Sequence, residues 1–138
     1  MSLFEWIGER FNPGPIGKID GPDDENSYQP KNKFWIWFLT ILGACLFGFL
    51  LWNIFQSENP PLLLLFLLLY LLLAYFLSPK PDRSNMGWLG GLMDNPFRIS
   101  DDINRFLFFL ALFLLPGKIM LYALQTIINT IKALSVFG

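Results

Sequence analysis

Hydrophobic residues along this chain fall into long unbroken blocks rather than into a period of 2 or 3.6 residues. The most extreme block runs from Leu62 to Leu77 and contains eleven Leu, two Phe, two Tyr and one Ala. Each centrally placed Leu or Phe favours insertion into a bilayer by about 0.3 to 0.6 kcal/mol, so the block as a whole favours insertion by at most roughly 4 to 8 kcal/mol. The pattern therefore predicts an integral membrane protein.

A second apolar block, Phe34 to Phe55, precedes the leucine-rich one. It is close to the ~20 residues that a helix needs to cross the hydrocarbon layer, and its only strongly polar side chain is Asn53, near the end. The turn at residues 56–61 is so short that it permits only an antiparallel pair. We therefore expect residues 34–77 to form a transmembrane helical hairpin.

The last quarter of the chain, residues 103–138, permits two structures. The stretch from Phe106 to Leu115 is apolar throughout but too short to span by itself. If the helix continues through Pro116 with a kink, Ile103 to Leu124 makes a third span; if it stops, this stretch is an interfacial or half-membrane segment. We expect the Pro-kinked span, followed by an amphipathic C-terminal helix in the membrane interface.

The polar parts of the chain are residues 1–33 and the loop at 78–102. Leu3 to Phe11 has apolar residues at helical spacing and predicts a short amphipathic helix in the interface. The remainder of 1–33 is rich in Pro, Gly, Asp and Asn and predicts an extended linker. Ser100 stands where the next helix needs an N-cap, with Asp101 and Asp102 complementing its N-terminus.

Together these segments predict an all-α integral membrane protein: a transmembrane helical hairpin, a third, Pro-kinked span and amphipathic terminal helices. The turn at 56–61 has no Lys or Arg, whereas basic residues flank the hairpin on both outer sides. By the positive-inside rule, the N-terminus and the 78–102 loop face the cytoplasm, or the stroma or matrix of an organelle. A bacterial inner or thylakoid-type membrane fits this topology, and so does another organellar membrane.

The composition excludes the commonest kinds of metal-binding and catalytic site. There is no histidine, so the commonest metal ligand, haem ligand and general base are all missing. The single cysteine, Cys45, lies in an apolar block, and a net charge of −1 offers no basic field for nucleic acid. The acidic stretch around Asp20 lacks EF-hand spacing and is expected to be solvated. We expect no enzyme activity, no metal and no cofactor, with contact to lipid or pigment left open.

Two surfaces are candidate partner contacts. The first is a row of small residues in the first span, Thr40, Ala44 and Gly48, which would let another helix approach closely, either a partner's or one of the chain's own. The second is the glycine-rich loop after the hairpin, whose apolar side chains suit docking on a partner or anchoring in the interface. Its candidate contact residues are Trp88, Leu89, Leu92, Met93 and Phe97.

The leading functional hypothesis is a non-catalytic accessory subunit or assembly factor of a larger membrane complex, of the respiratory or photosynthetic type. Its expected partners are that complex and membrane lipid. Two other classes stay open. A self-associating pore would use the amphipathic termini, and a lipid-processing enzyme would use Asp94, Asp101 and Asp102.

Overall fold

The structure, a computed structural model, describes residues 3–22, 32–85 and 99–136, with only the backbone described at 4–6 and 136. It is mostly helical. In chain order its elements are α1 (Leu3–Phe11), β1 (Lys18–Asp20), α2 (Lys33–Phe55), α3 (Pro60–Phe76), β2 (Ser78–Lys80) and α4 (Ile99–Val136).

Two of these helices are long and apolar enough to cross a membrane, as judged by length and composition: α2 and the Ile99–Ser135 part of α4. The leucine-rich helix α3 is shorter, with 17 residues, at the lower limit for a span. Residues 56–59 connect α2 to α3, and the two helices contact each other. A mostly helical chain with two long apolar helices was predicted from the sequence.

Helix α4 passes through Pro116 without ending. Proline has no N–H and its ring crowds the carbonyl four residues earlier, which weakens the helical hydrogen bonds at this point. The next backbone amide, Gly117 N–H, donates to the Tyr70 hydroxyl of α3 at 3.0 Å. Of the two structures that the sequence permitted, the continuous helix is the one observed, and the C-terminal segment is its extension.

The chain divides into two compact units. The first comprises Met1–Gly21 and Leu77–Phe113, and the second comprises Pro22–Phe76 and Leu114–Gly138. In the second unit, close packing depends on two glycines. A Cβ at Gly117 would overlap Ala74 and Tyr70, and one at Gly43 would overlap the Ile119 carbonyl oxygen. Helices α3 and α2 each approach α4 at a residue without a side chain.

The first unit departs from the all-α class and from the extended linker expected before α2. Strands β1 and β2 pair in antiparallel fashion, with Ile19 opposite Pro79. Three-residue strands containing Pro, Lys and Asp show none of the alternation that identifies a strand in a sequence. The paired residues are 58 to 62 positions apart in the sequence, so the local pattern gave no sign of the pairing.

Candidate functional site

The first unit is built around a buried polar cluster, and Asn104 is at its centre. Its side chain is fully buried. The amide oxygen accepts Gly17 N–H at 2.7 Å and Asp82 N–H at 3.1 Å. The amide nitrogen donates to the carbonyls of Pro15 at 2.9 Å and Asn85 at 2.8 Å. All four hydrogen-bonding positions of the amide are therefore occupied, and one side chain joins α4 to two loops.

A chain of side-chain hydrogen bonds extends from this centre to α1. Asn85 Nδ2 donates to Ser100 Oγ at 2.8 Å, and Ser100 Oγ donates to Glu9 Oε2 at 2.9 Å. The other Glu9 carboxylate oxygen accepts Gly14 N–H at 3.1 Å. A hydroxyl on a carboxylate resembles a nucleophile with its base, but Ser100 is fully buried. Glu9 is half-buried, and both residues line a cavity of about 330 Å³.

Glu9 also replaces Ser100 as the cap of α4. Ser100 lies inside the helix rather than before it, and its backbone N–H donates to Glu9 Oε2 at 3.2 Å. Desolvation opposes ionisation of Glu9, but the hydrogen bonds from Ser100 and Gly14 outweigh it and lower the pKa of the carboxyl group. The predicted Ser100 cap was therefore wrong: a carboxylate from α1 satisfies this N-terminus, where negative charge is favoured. Asp101 and Asp102 do lie in the first turn, as expected.

Asp20 is buried and paired rather than solvated. Its carboxylate lies 2.6 Å from Lys80 Nζ and 3.0 Å from Lys18 Nζ. The hydrogen bond from Lys80, followed by that from Lys18, lowers the pKa of Asp20. The carboxylate bridges the two paired strands, which explains why so short a pair forms. Among the described residues, no group of three His, Cys, Asp or Glu could hold a metal ion.

Apolar side chains on the surface of the first unit surround this polar interior. Leu3 and Phe11 of α1 are 73% and 83% exposed. Six of the seven buried polar residues in the described ranges belong to this unit. The unit thus has a largely polar interior, while its surface carries large apolar side chains beside the exposed Lys18, Lys80 and Arg83. The exposed large apolar residues of this unit are Leu3, Ile7, Phe11, Ile16, Ile19, Ile103, Phe106, Phe109, Leu112 and Phe113.

A separate apolar groove of about 280 Å³ lies in the second unit, between the start of α2 and the end of α4. Its polar atoms are engaged. The hydroxyls of Thr40, Thr126 and Thr130 donate to backbone carbonyls of their own helices, at 2.7, 2.9 and 2.8 Å. The groove is lined by Ile36, Trp37, Thr40, Thr126, Ile127, Thr130 and Ile131.

The small residues predicted as one contact face are divided between two environments. Thr40 is buried, and the adjacent Gly43, not Ala44, meets α4. Ala44 and Gly48 are exposed, with open space where a Cβ at Gly48 would lie. The five loop residues of the second predicted surface lie outside the described residues: Trp88, Leu89, Leu92, Met93 and Phe97.

No protein-family model, curated protein or solved structure matches the chain. The site therefore has to be judged by its own geometry. Sequence reasoning missed Glu9, Asn85 and Asn104, although one signal was present. Ser100 and Asn104 fall on the same helical stripe as Leu107 and Leu114, the apolar residues that α4 buries. Polar residues continuing an apolar stripe indicate a buried polar interior.

Proposed function

We propose that this chain is a non-catalytic, membrane-integral accessory subunit or assembly factor of a larger membrane protein complex. The observation that carries the proposal is the exposure of its apolar helices. Helix α2 buries only Thr40, Gly43 and Ile54 among its 23 residues, and α3 buries only Ala74 among its 17. Water would not tolerate so large a continuous apolar surface, so lipid or protein covers it.

The ends of α2 support placement across a bilayer. Trp35 and Trp37 near its start and Trp52 near its end are 50%, 65% and 68% exposed. Indole rings are enriched at both membrane interfaces, and the helix between them satisfies its own backbone groups, as the hydrocarbon layer requires. On this proposal α2 and α3 form the transmembrane hairpin, and α4 crosses beside them.

The buried cluster of the first unit supports a non-catalytic role. Its carboxylates, amides and hydroxyls hydrogen-bond or form ion pairs within the unit, and they hold the segment after α1 against α4. Such a network of buried hydrogen bonds and ion pairs favours one conformation of a small domain. The unit then presents Leu3, Ile7 and Phe11 outward on a fixed frame, which suits docking on a subunit or lying in the interface.

Exposed small residues on α2 support a protein partner in addition to lipid. Ala44 and Gly48 lie one turn apart on a face that no other part of the described chain covers at Gly48. Small residues let a second helix backbone approach closely, and this packing drives association in membranes. We assign the contact to a different protein, in line with the accessory role proposed above.

The test is purification of the tagged full-length chain from its native membranes in mild detergent, followed by mass spectrometry. We expect resistance to alkaline carbonate extraction and recovery of at least one stoichiometric membrane partner. The Gly48→Leu variant should lose that partner, and Phe49→Leu, a change at the next residue, should keep it. Recovery of the wild-type chain alone as a monomer would refute the proposal, and so would release of dye from vesicles by the reconstituted chain alone, which indicates a pore.

A further inference from the structure

A cationic residue, Lys33, lies one turn before the α2 residues that line the groove between α2 and α4. Lys33 precedes the groove residues Ile36, Trp37 and Thr40 by three, four and seven positions, so all four lie on one face of α2. Lys33 is exposed, and no described carboxylate forms an ion pair with it. The groove therefore combines an apolar floor with a positive charge at the end where α2 begins.

The walls of the groove require an apolar occupant. Its three threonine hydroxyls already donate to carbonyls of their own helices. The surface that the groove offers to a ligand therefore consists mainly of threonine methyl groups and of isoleucine and tryptophan side chains. A ligand with polar groups along its length would lose its hydration here without finding partners. An occupant that is apolar along the groove and negative near Lys33 matches both features.

We propose that the groove binds one acyl chain of an anionic phospholipid, with the phosphate near Lys33 and the N-terminus of α2. Charge complementarity favours this occupant over a partner helix, because the groove walls are apolar and the exposed Lys33 lies one turn beyond them on α2. The N-terminal amides of α2 add partial positive charge beside the lysine. The inference rests on the membrane placement proposed above.

The experiment is native mass spectrometry of the full-length chain in mild detergent, titrated with phosphatidylglycerol or phosphatidylcholine of identical acyl chains. Since one basic residue near a membrane surface contributes about fivefold to binding of an anionic lipid, we expect the wild-type chain to prefer phosphatidylglycerol by about this factor. Lys33→Gln should remove the preference. Lys132→Gln is the matched control. Lys132 lies near the end of α4 that lines the groove, but on the face of α4 opposite to it.

A second variant tests the floor of the groove independently of charge. Thr126→Phe fills the groove with an apolar ring and should weaken binding of both lipids. Equal binding of the two lipids by the wild-type chain, equal losses in Lys33→Gln and Lys132→Gln, or unchanged binding in Thr126→Phe would each overturn the proposal. Carbonate resistance and partner recovery are scored in parallel, so a chain that keeps both but lacks the lipid preference refutes the lipid site alone.

Discussion

Replacing Asn104 by leucine tests whether the buried amide holds the first unit together. The two side chains are similar in size, so the change removes hydrogen bonds without leaving a large cavity. Four hydrogen bonds are lost, to Gly17, Asp82, Pro15 and Asn85. Each backbone group left without a partner lowers the free energy of unfolding by about 1 kcal/mol. This lower end of the usual range is used because three of the four hydrogen bonds are only partly buried. The expected cost is about 3 to 4 kcal/mol.

Hydrogen–deuterium exchange of the full-length chain in detergent measures this cost locally. Because every ~1.4 kcal/mol is a factor of ten, amides in residues 14–20 and 78–85 should lose roughly a hundredfold or more of their protection. The matched control is Asn53→Leu. Asn53 donates to the Phe49 carbonyl of its own helix at an exposed position, so protection of the first unit should not change. Wild-type protection of Gly17 and Asp82 in Asn104→Leu would refute the argument.

Three further predictions concern thermal unfolding in detergent. Gly43→Ala should destabilise the second unit by about 1 to 3 kcal/mol, because the added Cβ would overlap α4. Its control is Gly48→Ala, where the Cβ meets open space; this change should be neutral or stabilise α2 by up to ~1 kcal/mol. Tyr70→Phe should cost about 0.6 kcal/mol by removing the acceptor of Gly117 N–H. Folding lowers the pKa of Glu9, so the ionised carboxylate stabilises the folded state. This contribution to stability should be complete above the ordinary carboxylate pKa of about 4.3, and it should disappear as the pH falls through the lower pKa of the folded state.

The controls for the last two predictions are also single substitutions. Tyr75→Phe alters an exposed tyrosine on the same helix and should leave the unfolding midpoint unchanged. A midpoint as low as that of Tyr70→Phe would mean that loss of any tyrosine hydroxyl has this effect. Glu9→Gln should remove the carboxylate's part of the acid dependence. If the variant and the wild-type chain lose stability in parallel between pH 5 and 3, Glu9 is not the group responsible.

The apolar helices could be predicted from the sequence because their pattern is local. Leu3–Phe11 was found with the bounds that the structure has, and the bounds of α2 differ from the predicted span by one residue. Helix formation follows from apolar residues at helical spacing in Leu3–Phe11 and from continuous apolar composition in α2. No information from distant parts of the chain was needed.

The polar cluster could not be predicted because its members become neighbours only through the fold. Glu9 and Ser100 are separated by 91 positions, and nothing near either residue identifies the other as its partner. Asp20 was expected to be solvated for the same reason, since Lys80 reaches it only once the strands pair. Local rules assigned each residue the role it would have alone, as cap, linker or solvated charge.

The hydrogen bond from Gly117 to Tyr70 limits how freely the leucine-rich helix can turn about its own axis. A helix with leucine on nearly every side fits its surroundings about equally well at any rotation about its axis, because rotation only puts one leucine in the place of another. One hydroxyl on α3, with Ala74 one turn beyond it, selects a single orientation. The order of the other side chains in α3 therefore carries little information, and extensive reshuffling of its leucines should preserve the fold as long as Tyr70 and Ala74 are kept.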